Sequence, residues 1–393
     1  MLIFQRDIAR LSMKNRTFCL LLFLTAVTAL AVSGTTSQLT ITEKLQGVLD
    51  QVVAGSNDHL GVVASISAPR IHLDWSGVSG TVARDSTLAL QPDQPFRIAS
   101  TTKVFVAAAI FRLIEDGLLG LYDPTSDHIS PATARIRASG GYDPKAITVA
   151  ELLGHTSGLA DFGPSPAYEQ AVLAHQKDNK RWTRLEQIQF AMEYEKPVGR
   201  PGEKYYYSDT GYVILGEIIE RVSGESMAAY VRQALNFSTL DLKSTYWETL
   251  EPDPTGLPQR AHQYWGRTDV TDFDPSLDLY GGGGLVSTTA NLNRFFGALL
   301  TGRLFKHSST LAMALLPLQP EQPMRHPRTL LLYTERFSRH LCWAQGGYWG
   351  TVTMYCPDID VAVSTSTRRR CTRREHESTQ AHGGTRRRTG QRA

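Results

Sequence analysis

The chain has 393 residues, 41% of them hydrophobic, enough for a large buried core and for two compact units. Its formal charge of +3 hides an uneven distribution: residues 1–34 carry +3 and residues 368–393 carry +7, leaving −7 on the body between. That sign argues against nucleic-acid binding by the folded part. Eleven scattered His, with no His-Glu-x-x-His and no Cys-x-x-Cys, argue against a metal site.

In chain order, residues 1–34 read as an export signal. Arg6, Arg10, Lys14 and Arg16 precede the apolar run Phe18–Val32, and small residues Ser33 and Gly34 follow. An uncleaved N-terminal anchor is the alternative, although the run is short for a span. No later apolar stretch reaches spanning length, so no transmembrane span is expected in the mature chain. Thr40-Ile41-Thr42-Glu43 has the form of a capping box, with Leu45, Val48, Leu49, Val52 and Val53 forming one helical stripe behind it. Gly61–Ser67 and Ile71–Val78 are strand-like and joined as a hairpin through Ala68-Pro69-Arg70.

Ser100-Thr101-Thr102-Lys103 then opens a run that is apolar on nearly every side as far as Ile114, the mark of a buried helix, with Gly117 as its stop. On a helix, Ser100 and Lys103 share a face. Backbone N–H groups at the helix start favour developing negative charge near Ser100. Burial lowers the pKa of Lys103 and lets a neutral amine take a proton from the hydroxyl. The plainer alternative is a serine that merely caps a helix.

From about residue 118 the texture changes to helices and polar loops. Thr148–Glu151 and Thr183–Glu186 are further capping boxes. Between them, Gly154-His155-Thr156-Ser157-Gly158 places its serine one position too late for a nucleophile elbow, and His155 reads as a turn-stabilising residue. Tyr207-Ser208-Asp209 precedes an amphipathic helix through Tyr212, Leu215, Ile218, Ile219 and Val222 that ends at Gly224, with Asp209 standing where an N-cap belongs. Gly281–Gly284 lacks the ending of a phosphate loop and predicts a close approach of backbone to a neighbouring element. Leu292, Phe295, Phe296, Leu299 and Leu300 mark another helix, stopped by Gly302. Leu330–Tyr333, His340–Ala344, Gly350–Cys356 and Val361–Ser366 predict an antiparallel meander. Cys342 and Cys356 flank one of its hairpins, either as a disulfide in an oxidising compartment or as two buried thiols. Residues 368–393 contain no Leu, Ile, Val, Phe, Tyr, Trp or Met and predict a basic, disordered tail.

Three of these places together resemble the serine β-lactamases and penicillin-binding proteins, in the branch of class C β-lactamases, D-Ala-D-Ala carboxypeptidases and related esterases. They are Ser100-Thr101-Thr102-Lys103, Tyr207-Ser208-Asp209 at the family's Tyr-x-Asn, and Gln345-Gly346-Gly347 at its Lys/His-Thr/Ser-Gly triplet. The resemblance spans roughly residues 40 to 366. It implies an α+β fold, an antiparallel sheet flanked by helices, formed by residues 40–117 and 281–367, with a mainly helical domain of residues 118–280 inserted. It implies Ser100 as the acylated nucleophile, Lys103 and Tyr207 as the proton carriers, and an oxyanion hole from the N–H groups of Ser100 and Tyr348. Asp209, Gln345, Gly346 and Gly347 would contact a small acyl substrate or a cell-wall peptide, with no metal or cofactor needed. The reading is an exported, periplasmic or extracellular, serine acyl-hydrolase of D-alanyl peptides, esters or β-lactams. The alternative is a catalytically impaired penicillin-binding-like module.

Two departures bear on this. Asp209 replaces Asn; ionised beside Lys103, it favours the ammonium and leaves Tyr207, its phenolate favoured by that ammonium, as the better base. Gln345-Gly346 removes both the cation and the hydroxyl that grip a substrate carboxylate in the family. The tail differs as well: the family ends in a helix packed on the sheet, whereas here Arg-rich sequence follows Thr367 as though the reading frame were lost, leaving one sheet face under-covered.

Overall fold

A computed structural model describes residues 35–369, apart from 56–58, 144, 176, 267, 323, 325, 326 and 338. The export signal and all but the first two residues of the basic tail lie outside the described residues. The chain forms α1 (Thr35–Ala54), β1 (His59–Ala68), β2 (Leu73–Gly80), β3 (Phe96–Arg97) and α2 (Thr102–Glu115). A helical stretch follows: α3 (Pro131–Ser139), α4 (Val149–Leu153), α5 (Pro166–Ala174), α6 (Arg184–Tyr194), α7 (Asp209–Ser223) and α8 (Met227–Ala234). Short strands β4 (Tyr246–Trp247), β5 (Tyr264–Trp265), β6 (Thr268–Asp269) and β7 (Leu285–Ser287) lead to α9 (Thr289–Leu300) and α10 (Ser308–Ala314). The chain closes with β8 (Tyr333–Phe337), β9 (His340–Gly346), β10 (Thr351–Cys356) and β11 (Val361–Arg369).

The main sheet is six-stranded, antiparallel, in the order β2-β1-β11-β10-β9-β8. Its two ends come from opposite ends of the described sequence, so everything from Thr81 to Leu332 is an excursion from one sheet. On one face α1 lays Ile41, Leu45 and Leu49 against Val62, Ala64 and Ile66. The other face receives α9, where Thr289 Oγ1 meets Ser65 Oγ at 2.6 Å and Ser364 Oγ donates to Asn293 Oδ1 at 2.7 Å. Such buried polar pairs satisfy each other, so the inner face tolerates its hydroxyls. α2 lies beyond α9 at the centre of the molecule, buried from Thr102 to Phe111. Phe105 stacks on Phe295 with centroids 3.6 Å apart and meets the edge of Phe237 at 5.8 Å. All-round apolarity, read in the sequence as burial, is therefore met by packing on every side.

Several expectations change. The capping box at Thr40 does not start a helix, because α1 already runs from Thr35; a local cap worth about 1 kcal/mol gives way to continued backbone hydrogen bonding. The first meander strand is Tyr333–Phe337 rather than Leu330–Tyr333. Leu330, Leu331 and Leu332 are buried, yet the N–H groups of Leu331 and Leu332 are taken by Thr329 Oγ1 at 3.2 and 3.0 Å instead of by a strand. β11 continues through Arg369, two residues into the segment expected to be disordered. The apolar patch expected on the sheet is not exposed: Cys342, Ala344, Val352, Met354 and Val363 are all buried. Cys342 and Cys356 form a disulfide joining β9 to β10. Among the described residues, no helix is long and apolar enough to cross a membrane.

Because Phe105 fills the junction of α2 with α9, Phe105→Ala should lower the free energy of unfolding by about 3–5 kcal/mol, measured by urea denaturation. A loss below ~1 kcal/mol would mean that this stack is not central to the core.

Candidate active site

The site forms where the N-terminal end of α2, the start of α7, the glycine run before β7 and the end of β9 converge. Ala99 adopts a left-handed backbone (φ 44°), uncommon for a residue with a Cβ, and begins the single 3-10 turn that carries Ser100 into α2. Ile98 N–H bonds to Leu285 O at 3.0 Å, and Thr102 Oγ1 accepts the Leu285 N–H at 3.3 Å, so β7 clamps this turn from both sides. The Ser100 hydroxyl does not cap the helix, which disposes of that reading of the serine.

Lys103 is 2% exposed, and its Nζ has three acceptors: Ser100 Oγ at 3.1 Å, the Gly282 carbonyl at 2.5 Å and the Asp209 carboxylate in a close ion pair. Three acceptors are the full complement of an ammonium. Tyr207 Oη is hydrogen-bonded to Ser100 Oγ at 2.7 Å. Serine, lysine and tyrosine, 107 residues apart at the extremes, thus meet at one oxygen. Asp209 is not the N-cap of α7; Ser208 is, its Oγ accepting the Gly211 N–H at 3.4 Å, which leaves the Asp209 carboxylate to Lys103.

On the opposite wall, Gln345 donates through Nε2 to the Ser100 carbonyl at 3.4 Å. Gly346 ends β9, and Gly347 N–H bonds to Thr351 O at 2.8 Å. A Cβ on Gly347 would lie 2.1 Å from the Ile98 carbonyl, so only glycine lets this edge approach the nucleophile turn. Tyr348 follows, its ring edge-on to Trp349 at 4.9 Å and to Trp265 at 6.5 Å. The glycine run behaves as the sequence implied: a Cβ on Gly281 (φ 122°) would lie 2.3 Å from the Tyr212 carbonyl. Close packing of this run on α7 is what brings the Gly282 carbonyl to Lys103.

Two further carboxyls escaped the sequence reading. Asp161 Oδ1 accepts the N–H groups of Asp209 at 2.9 Å and Gly163 at 3.2 Å, steadying the first turn of α7. Asp278, from the 3-10 turn Pro275–Asp278, lies close enough to Gly283 that a Cβ there would fall 2.3 Å from its Oδ2. Neither residue has a spacing relation to any motif, so nothing in the sequence marks them. Burial, reinforced by the Asp209 charge, raises Asp161 well above the usual carboxylate range. The same two effects push Asp278 up to about 7, against the pull of Lys103 and Arg97. Tyr207 is raised well above its ordinary value by burial and then by Asp209, the hydrogen bond with Ser100 acting the other way. A resting phenolate, expected from the nearby ammonium, is therefore disfavoured. Among the described residues no group of three or more His, Cys, Asp or Glu could hold a metal ion.

The chain is similar to known proteins in both sequence and fold. A family model described as Beta-lactamase matches residues 49–382. A penicillin-binding protein of Bacillus subtilis (strain 168) is 29% identical over 223 residues, 53% of this chain and 46% of that protein. The chain spans about half the length of such curated relatives. The crystal structure of a D-stereospecific amidohydrolase from Streptomyces sp. superposes with a TM-score of 0.70 at 24% identity, covering 88% of this chain and 99% of that one. At that identity it shows the fold alone. The D-amino acid amidase from Ochrobactrum anthropi SV3 gives 0.68 at 25% identity, covering 82% of this chain and 90% of that one.

A carboxyl whose folded pKa is raised from 3.8 to about 7 binds its proton more tightly folded than unfolded. The stability it contributes is full below the unfolded value and is lost as pH rises through 7. The melting temperature should therefore fall between pH 3.8 and about 7, and Asp278→Asn should flatten that fall, as followed by circular dichroism. An unchanged slope in the variant would mean that Asp278 is ionised throughout.

Proposed function

The chain belongs to the Beta-lactamase family; on that premise we propose that it is a serine hydrolase in which Ser100 forms an acyl-enzyme with small acyl substrates, and that it is exported. The observation that carries this is the meeting of Lys103 Nζ and Tyr207 Oη on Ser100 Oγ, at 3.1 and 2.7 Å. The Cys342–Cys356 disulfide supports export, since such bonds persist in oxidising compartments.

With Lys103 held as an ammonium and Tyr207 as a phenol, a relay keeps the buried ring neutral. Tyr207 Oη takes the Ser100 proton while it passes its own proton to the leaving oxygen or nitrogen. The Ser100 Oγ–carbon bond forms and the bond to the leaving atom breaks. The Lys103 ammonium stabilises negative charge developing on Oγ without changing its own protonation. The N–H groups of Ser100 and Tyr348 are the proposed donors to the carbonyl oxygen. Water then reverses the relay: its oxygen bonds to the acyl carbon as it gives a proton to Tyr207, which returns one to Ser100 Oγ as the Oγ–carbon bond breaks and the acid leaves.

Substrate choice follows from what surrounds the serine. A carboxylate-bearing β-lactam or D-alanyl peptide needs a charge-assisted partner, worth about 1.5–3 kcal/mol or roughly 10- to 150-fold in binding. Gln345 supplies only a neutral amide and Gly346 only backbone, with Asp209 close by. Uncharged esters and amides are therefore the proposed substrates. The amidase neighbours support adding amides of D-amino acids to the panel.

Wild-type protein should gain one adduct from a fluorophosphonate in intact mass spectrometry, and Ser100→Ala none, with a melting temperature within a few degrees. Labelling retained in Ser100→Ala would place the nucleophile elsewhere. Wild-type kcat/KM for p-nitrophenyl acetate should exceed that for benzylpenicillin or a D-alanyl-D-alanine peptide by at least about 10-fold, and Gln345→His with Gly346→Thr should narrow the gap. A preference for penicillin would show that another group grips the carboxylate.

A further inference from the structure

His155 follows α4, in a segment without a chemical role so far. Its backbone is left-handed (φ 54°), a conformation a non-glycine residue keeps only where its surroundings fix it. The consequence is a triple hold on the Tyr206-Tyr207-Ser208 tripeptide. The His155 carbonyl accepts the Tyr206 N–H at 2.8 Å, its Nδ1 accepts the Ser208 N–H at 3.1 Å, and its ring stacks on Tyr207 at 4.4 Å and 26°. On its other sides the ring lies 5.0 Å from Tyr212 and edge-on to Tyr205 at 5.9 Å.

An imidazole that accepts through Nδ1 must carry its proton on Nε2, and protonation at Nδ1 would set one N–H against another. Burial, and then the Lys103 and Arg328 charges, hold the ring well below its ordinary pKa, so the acceptor persists at neutral pH. A group that only braced a turn would need the two backbone contacts and not the face-to-face stack on the one tyrosine that reaches Ser100.

We infer that His155 is a positioning residue for Tyr207, fixing the ring so that its hydroxyl stays on Ser100 Oγ. The inference rests on the reading of Ser100 as nucleophile and Tyr207 as proton carrier. Misplacement of a reacting group by about 1 Å costs on the order of 100-fold, so the effect should appear in acylation and should run through Tyr207.

The test is a double-mutant cycle on the acylation rate constant, read from the burst with a p-nitrophenyl ester. His155→Phe keeps a ring and loses the acceptor; His155→Asn keeps a short acceptor and loses the ring. In the wild-type background His155→Phe should slow acylation about 10- to 100-fold with KM little changed, and His155→Asn should restore part of the loss. In Tyr207→Phe the same change should cost less than about threefold. Equal slowing in both backgrounds, or no slowing in either, overturns the inference. Should His155→Phe fail to fold by circular dichroism, His155→Asn carries the cycle with the same criteria. Tyr207→Phe that acylates at the wild-type rate overturns the proton-carrier role of Tyr207 instead, and the inference falls with it.

Discussion

One buried ion pair organises the site. Lys103 lies inside the molecule, where an ammonium without a counter-charge is costly, and Asp209 meets it from another helix. Removing either partner of such a pair typically costs about 3–5 kcal/mol, because the charge left behind stays buried. The contact therefore does two things. It fixes α2 against α7, and it puts a carboxylate on the lysine that contacts the nucleophile. Two neighbouring carboxyls, Asp161 and Asp278, are held toward their protonated forms by burial, with the Asp209 charge adding to it.

The remaining supports work by allowing backbone to come close. Gly281 and Gly347 stand where a Cβ would collide with the Tyr212 and Ile98 carbonyls, and each brings a strand edge or loop to the serine. Behind them, Arg97 binds Glu248 through Nε and Nη2 at 2.6 and 2.9 Å and donates to the Val270 and Phe273 carbonyls. With Arg260 also on Glu248 at 2.6 Å, the long excursion between β4 and β7 is tied to the strand that leads into Ser100. Full satisfaction of these charges makes the network rigid where a half-satisfied one would not be.

Much of this was legible in the sequence, for identifiable reasons. Ser100 and Lys103 stand three residues apart at the head of a run that is apolar on nearly every side, so both their common face and the burial of Lys103 could be read. The Thr148 and Thr183 capping boxes are formed as written, since each is a local arrangement of four residues. Failures arose where a local pattern competed with distant structure. Asp209 yields the cap to its neighbour Ser208 because Lys103 claims its carboxylate, a claim that depends on a residue 106 positions away. Leu330–Leu332 looks like a strand, but Thr329 satisfies its N–H groups first. The phenolate expected at Tyr207 weighed the ammonium alone, whereas burial and Asp209 outweigh it.

The central claim is that Asp209 keeps Lys103 charged and so leaves the Ser100 proton to Tyr207. The most direct measurement is the pH dependence of the acylation rate constant in wild type and Asp209→Asn. Without the carboxylate the ammonium loses its proton more readily. The account predicts that the alkaline fall in rate moves to lower pH in the variant, with no gain near neutrality. Faster acylation by Asp209→Asn at pH 7 would contradict it, because a freed lysine amine would then be the base.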